Sequence, residues 1–361
     1  MLQVMRGESE RILVIRLSSL GDIARLLPSL GALASRGRCV HLTVEDRFLP
    51  LVQLFPLAEE VIPYPRRAPG SPLRHPLRWS RAMRDYVGRL REGRYDLALD
   101  LHGILRSALV AHLSGARATA GFAQGHGKEG SHLFYGRTLR PADRTRISRY
   151  ERYAGALRAL GFPSSPGGYL SPSTPDAAAS RVSAFLEAGG LKAGAYLFAF
   201  VGTSAAQAHK RWPFERFLEL ARLARERLGM PTVLGWGPEE RALVAGAAGL
   251  EAVFPIPDWP LPELLETIRR AGAFVGADTG AMHLAALMGV PTVALLGPTD
   301  PVLNEPFGAR KRVLFSPSAS GPCRGEACTH DACLGAMPAS AVADALEGLL
   351  ARVSGEAGRG R

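Results

Sequence analysis

The stretch that most constrains this chain runs from Gly276 to Asp300, GADTGAMHLAALMGVPTVALLGPTD. Just before it, the apolar run Ala273-Phe274-Val275 reads as a buried parallel strand. Asp278-Thr279-Gly280 is a turn with two oxygen-bearing side chains and a glycine. Met282 to Met288 is an apolar helix with His283 near its start. Gly289 and Pro291 close that helix, and Thr292 to Leu296 reads as the next strand. The turn therefore lies at the carboxyl end of a strand and the amino end of a helix, where open α/β sheets bind ligands. Unpaired N–H groups and the helix dipole favour an anion there, such as a phosphate. Gly280 lets a ligand approach the backbone, and His283 is placed to donate to the same phosphate. The residues alone fit a plain strand-turn-helix joint equally well, with Asp278 as a cap and His283 as a packed polar side chain.

The full pattern, D-T-G-x-x-H-L-A-A-x-x-G-V-P-T-V-A-L-x-G-P-T-D-P from Asp278 to Pro301, resembles the signature of the lipopolysaccharide heptosyltransferases, glycosyltransferase family 9. The resemblance extends over nearly the whole chain. It implies an α/β protein of two Rossmann-like domains facing across a cleft, the GT-B fold. It also implies an inverting transferase that moves heptose from ADP-heptose to a lipopolysaccharide inner-core acceptor.

Composition is compatible with this. The chain has 361 residues, 47% hydrophobic and 21% charged, enough for two α/β domains with real cores. No apolar run is long enough to span a membrane, and the charged N-terminus lacks a signal-peptide core, so a cytoplasmic protein is expected. The net charge of +11 suggests an anionic partner: nucleic acid, anionic lipid or a phosphorylated substrate. The four cysteines do not make a disulfide scaffold. Cys323, Cys328 and Cys333, with His330 nearby, are too widely spaced for a typical zinc site, and an incidental role is expected.

In the N-terminal half, Arg11 to Leu17 reads as a buried strand, Ser18 to Asp22 as a glycine-containing loop, and Ile23 to Ala34 as a helix with a kink or late start at Pro28. Val40 to Val44 completes a βαβ unit. The loop R-L-S-S-L-G-D-I resembles the N-terminal signature of family 9, in which the loop aspartate is the general base. Asp22 is either that base, taking the acceptor hydroxyl proton, or a helix cap, and the base is the preferred reading. As a base it predicts that Asp22→Asn loses turnover and keeps stability. Ser19 and Gly21 belong to the acceptor side of this loop. Arg25 stands where the family often has His or Leu. Arg66 to Arg94 is rich in arginine, either as a solvated face or as a phosphate clamp. The resemblance favours the clamp, with Arg66, Arg67, Arg74 and Arg78 holding the acid-rich acceptor. Tyr95 to Leu101 is a strand, and the segment after it resembles D-L-Q-G-L-x-K/R-S-A, with His102 in place of glutamine. His102 and Arg106 join the acceptor set. The Gly127-Lys128 pair fails as a P-loop because Phe122 and Glu129 stand at required positions.

Pro163 to Pro175 is loop chemistry, which places an acceptor domain at 1–170, a donor domain at 171–335, and at 336–361 a helix expected to pack back on the first domain, followed by a tail. Tyr196 to Val201 reads as a strand ending at Thr203-Ser204, Phe214 to Leu228 as an amphipathic helix, and Pro231 to Gly235 as a strand leading to Glu239-Glu240. Glu240 breaks the dinucleotide fingerprint, which argues against an oxidoreductase. The resemblance implies a donor site of Thr203, Ser204, Lys210, Asp278, Thr279, Gly280 and His283, with Glu239 or Glu240 on the ribose. No metal is expected, because Lys210 and helix N-termini supply the positive field. The expected partners are a nucleotide-sugar and a phosphorylated glycolipid at the inner face of the cytoplasmic membrane, with the enzyme a monomer that needs no cofactor and binds no nucleic acid. Two alternatives stand beside this reading: a transferase with another nucleotide-sugar or acceptor, and a non-catalytic polyanion or nucleic-acid binding protein. Against the second, no nucleic-acid motif appears and aromatics are only 7%.

Overall fold

The structure, a computed structural model, describes residues 10–35, 37–66, 75–141, 146–162, 164, 168–203, 210–316 and 332–359. The chain divides into two units, Met1–Gly168 and Tyr169–Arg361.

The first unit begins with β1 (Arg11–Ile15), α1 (Leu20–Ala34), β2 (Cys39–Glu45), α2 (Leu49–Gln53) and β3 (Glu60–Tyr64). It continues with α3 (Pro76–Glu92), β4 (Leu97–Asp100), α4 (Leu105–Leu113), β5 (Ala118–Phe122), β6 (Arg137–Leu139) and α5 (Arg149–Ala159). Its six strands are all parallel, in the order β3-β2-β1-β4-β5-β6, the arrangement of a Rossmann sheet. β1, RILVI, is apolar along its length because a central parallel strand is covered on both faces. Helix α1 starts at Leu20 and continues through Pro28, so its first turn takes in residues that the sequence placed in a loop.

The second unit begins with α6 (Asp176–Ala188), β7 (Leu197–Phe200), α7 (Phe214–Leu228), β8 (Thr232–Gly235), α8 (Arg241–Ala245) and β9 (Val253–Pro255). It ends with α9 (Leu261–Arg269), β10 (Ala273–Ala277), α10 (Gly280–Leu287), β11 (Thr292–Leu296), β12 (Lys311–Phe315), α11 (Ala332–Gly335) and α12 (Ala339–Arg359). Its parallel sheet runs β12-β11-β10-β7-β8-β9, the same topology read from the other edge. Helix α7 buries Phe217, Leu220, Ala221 and Ala224, a stripe at helical spacing. Trp212, fully buried ahead of it, donates from Nε1 to the Met337 carbonyl at 3.0 Å.

The C-terminal helix was expected to pack back on the N-terminal half. Val342, Ala343, Leu346 and Leu349 of α12 lie in the same apolar core as Leu220, Val293 and Leu295 of the second unit. Placed there, the apolar stripe of α12 completes the core of its own unit. Among the described residues no helix is long and apolar enough to cross a membrane.

Candidate functional site

In each sheet the chain turns to opposite sides after two adjacent central strands: β1 and β4 in the first unit, β7 and β10 in the second. The segments leaving those strands lie at their carboxyl ends, where such sheets bind ligands, and they carry Asp22, His102 and Asp278.

In the first unit, Asp22 is not the cap of α1. Ser19 is the N-cap residue, and its hydroxyl donates to Asp22 Oδ2 at 3.1 Å. Asp22, in the first turn, is gripped by three guanidiniums: Arg16 at 2.6 Å, Arg25 at 3.0 Å and Arg149 at 2.8 Å. Burial alone would raise its carboxyl pKa, but Arg16, Arg149 and Arg25 outweigh burial and hold Asp22 well below the usual carboxylate range. Asp22 is the counter-ion of three arginines, so Asn at this position is expected to cost stability rather than spare it. Gly21 lies beside it in the same turn and carries no polar side chain of its own.

Arg16 also donates to the carbonyls of Leu101 at 3.0 Å and His102 at 3.5 Å, which ties the loop after β1 to the loop after β4. That second loop is fixed from below by Asp100. Its fully buried carboxylate accepts from the Ser107 and Tyr135 hydroxyls at 2.6 and 2.7 Å and from the His102 and Gly103 backbone N–H groups at 2.7 and 3.1 Å. Gly103 adopts φ +76°, and a Cβ there would sit 2.9 Å from Phe122, so the turn requires glycine. The His102 pKa is pushed down to about 3 by burial first, then by Arg16 and Arg106, against the opposite pull of Asp22. The imidazole is thus neutral at ordinary pH, and its Nδ1 is buried with no hydrogen-bond partner among the described residues. A neutral hydrogen-bonding ring stands where the family pattern carries a neutral amide.

The arginines expected to bind the acceptor separate into groups. Arg66 and Arg106 converge on Glu45, the last residue of β2, at 3.0 and 3.2 Å. Arg47 joins them at 2.8 Å. Arg78 is exposed on the first turn of α3; among the described residues it bonds to neither Glu45 nor Asp22. Arg67 and Arg74 lie outside the described residues.

In the second unit, Asp278 ends the β10 turn. Its Oδ2 meets Lys210 Nζ at 3.2 Å and its Oδ1 meets His283 Nε2 at 3.3 Å. The helix cap is Thr279, which accepts from the Met282 N–H at 3.4 Å. Asp278 is thereby left to hold a lysine and a fully buried histidine beside the first turn of α10. Gly280 opens that turn. Thr203, at the end of the neighbouring strand, keeps a buried hydroxyl with no partner among the described residues, an unmet group that a ligand oxygen would satisfy. Ser204 lies outside the described residues.

Of the two glutamates, Glu239 is exposed, whereas Glu240 is fully buried. Glu240 accepts from Thr203 N–H at 3.3 Å and Gly237 N–H at 3.2 Å, and pairs with Arg211. Its oxygens tie the β7 end to the β8 end. A Cβ on Gly202 would lie 2.8 Å from Gly237 N and 2.9 Å from Glu240 Oε2, so this tie also depends on a glycine.

Sequence reasoning missed Glu45, Arg47, Arg16, Arg149 and Arg211. Arg16 and Glu45 were findable in principle, since each is a charge at the end of a buried strand, where burial forces a partner. Arg149 gave no local signal, being 127 residues from Asp22 in sequence. One group of potential metal donors appears among the described residues: Cys39, His41 and Glu59 near the start of β2. It lies at the opposite end of the sheet from these loops. Cys333 is buried; Cys323, Cys328 and His330 lie outside the described residues.

Comparison with known proteins agrees with the geometry. The family model described as Glycosyltransferase family 9 (heptosyltransferase) matches residues 83–333. The chain is 32% identical over 337 residues to lipopolysaccharide heptosyltransferase 1 of Pseudomonas aeruginosa, covering 89% of this chain and 88% of that one. It superposes on E. coli heptosyltransferase WaaC with ADP at a TM-score of 0.73 and 25% identity, over 94% of this chain and 99% of that one. The same enzyme with ADP-2-deoxy-2-fluoro heptose gives 0.70 at 25% identity, over the same shares of the two chains.

Proposed function

Because this chain belongs to glycosyltransferase family 9, the heptosyltransferases, we propose that it transfers heptose from ADP-heptose to a phosphorylated lipopolysaccharide inner-core acceptor. The single observation that carries this reading is the Lys210–Asp278–His283 cluster at the first turn of α10, set within the Asp278–Pro301 signature of the family. A relative with a similar fold holds ADP and a fluorinated ADP-heptose.

In the proposed reaction the donor diphosphate meets Lys210 and the N–H groups at the start of α10, with the buried His283 acting from behind through Asp278. These donors stabilise the charge that grows on the leaving ADP. Thr203 offers its unmet hydroxyl to a phosphate oxygen, and Glu239 offers an exposed carboxylate to the ribose. Asp278 contributes by holding Lys210 and His283 in place. Lys210 and α10 supply the positive field, so no divalent metal is required. Asp22 takes the proton of the acceptor hydroxyl as that oxygen attacks the anomeric carbon, on the face opposite the departing diphosphate. The three arginines make Asp22 a weak base that is always ionised. Its proton transfer therefore accompanies bond formation, when the attacking hydroxyl has become acidic. The acceptor is a glycolipid, so the enzyme works as a peripheral protein on an anionic membrane face. The exposed arginines of α3 suit that surface. Family membership leaves no room for the alternative of a non-catalytic polyanion binder.

The deciding experiment is calorimetry of ADP, ADP-heptose, ADP-glucose and GDP- and UDP-sugars, each with and without EDTA. ADP-linked ligands should bind equally well in chelator. Binding that disappears with EDTA refutes the metal-free diphosphate site, and preference for another nucleotide refutes the donor. Transfer to core lipopolysaccharide, followed by mass spectrometry, tests the acceptor.

A further inference from the structure

Glu45 is a buried charge that the reaction above does not use. It ends β2 and its side chain is 0% exposed. Its backbone N–H donates to the Leu17 carbonyl at 2.9 Å, one residue beyond the Arg16 that grips Asp22. Three arginines from three different loops meet on its carboxylate: Arg47 after β2, Arg66 after β3 and Arg106 on α4. Ring faces hold two of the guanidiniums from another side, with Arg47 over Phe48 at 4.6 Å and Arg106 over Tyr64 at 5.6 Å. Each guanidinium keeps part of its surface in water, between 35% and 47% of the side chain.

Stability does not explain this arrangement. An apolar residue could fill the same space, and a buried carboxylate with its ion pairs is often no better than a hydrophobic replacement. What the carboxylate does is assemble three like charges that would otherwise repel. One anion against three cations leaves two positive charges, with donors still facing solvent.

We propose that Glu45 is the positioning residue of an anion subsite, built by Arg47, Arg66 and Arg106, that takes a phosphate dianion of the acceptor. The proposal rests on the acceptor reading of the first unit. The phosphate engages the outward N–H groups of the three guanidiniums, which Glu45 holds at a fixed spacing from behind. Planar guanidiniums recognise phosphate by paired N–H contacts, so their orientation matters as much as their charge.

Glu45→Gln separates orientation from charge because the two predict opposite signs. Gln is nearly isosteric but raises the net charge of the cluster to three. If charge alone governs binding, the variant holds phosphate more tightly. If Glu45 positions the arginines, binding weakens. We expect KM for phosphorylated core acceptor to rise roughly tenfold, with kcat and donor KM within about twofold. The preference for phosphorylated over phosphatase-treated acceptor should collapse. A KM that is unchanged or lower overturns the proposal.

A second arm does not depend on the identity of the acceptor. Inorganic phosphate and pyrophosphate are titrated against the intact protein with ADP saturating, so that the donor site is filled, and the melting temperature is followed. The wild type should be stabilised, while Glu45→Gln and Arg47→Ala should lose that response. A wild type without a response, or variants that keep it, refutes the subsite. A positive result here with no transfer to core acceptor would sink the acceptor assignment alone. If Glu45→Gln does not fold, Arg47→Ala, at a partly exposed arginine, carries the kinetic test by the same rise in KM.

Discussion

Replacing Asp22 with Asn tests the chemistry and the architecture of the first unit together. The exchange preserves shape and removes one negative charge. Arg16 and Arg25 have side chains only 9% and 5% exposed and cannot turn to water, whereas Arg149, at 39%, can. Each charge-assisted bond contributes roughly 1.5–3 kcal/mol, and Asn still accepts a neutral bond, so weakening the two buried ion pairs puts the loss at about 3 kcal/mol. In a unit spanning Met1–Gly168, this lowers the melting temperature of that transition by roughly 6–12 °C. The pH dependence has a definite sign. The folded pKa of Asp22 is depressed below an unfolded value of about 3.9. Its stabilisation is therefore complete above about pH 5 and lost as pH falls below the unfolded pKa. The gap between wild type and Asp22→Asn should be constant from pH 5 to 8 and should begin to narrow below about pH 4. Turnover, assayed below the lower melting temperature, should fall roughly a hundredfold or more, with ADP affinity retained. Calorimetric melts from pH 3 to 8 and steady-state kinetics supply both readings. A variant that melts within about 2 °C of wild type at pH 7 would falsify the three-arginine account, and an active variant would remove Asp22 from proton transfer.

Three further outcomes follow from the geometry. Lys210→Ala removes a charged donor from the Asp278 cluster and should weaken ADP binding about 10- to 100-fold by calorimetry; unchanged affinity would place the diphosphate elsewhere. His102, with its pKa pushed down to about 3, is a group that the unfolded chain protonates first, so it costs wild-type stability as pH falls from about 6.5 towards 3. His102→Gln should flatten that part of the melting profile and keep turnover within about tenfold, and an identical profile would contradict a buried neutral imidazole. Gly202→Ala forces a Cβ to within 2.8 Å of Gly237 N and should cost the second unit about 1–3 kcal/mol, whereas a variant as stable as wild type would show that the β7–β8 approach is loose.

Legibility in the sequence followed locality. Strand β11 and helix α7 were read to the residue because alternation of apolar blocks with glycine and proline marks such elements within a short window. Both Rossmann halves were legible for the same reason, and so was the Asp278–His283 turn, whose members lie within five residues. β6 and β9, three residues each, fell below what periodicity can detect. The start of α1 was placed three residues late because Ser-Ser-Leu-Gly reads as loop, although Ile23 N–H already bonds the Ser19 carbonyl at 2.8 Å. What stayed hidden was pairing at a distance. Asp22 stood out within its own loop, but its partner Arg149 and the Glu45 hub depend on which strand ends become neighbours. Spacing along the chain carries no trace of that.

The position of α12 bears on how the protein is made. Residues 1–168 hold every strand of the first sheet, so that unit can fold while the rest is still being translated. The second unit cannot finish so early. Val342, Ala343, Leu346 and Leu349 belong to its central apolar cluster, and they are synthesised only after all six strands of its sheet. Until they emerge, the face of the sheet carrying Val293 and Leu295 is uncovered. A nascent chain therefore passes through a stage with a finished first unit and an exposed, incomplete second unit, and a stop codon that removes α12 would fix it there as a target for chaperones and proteases.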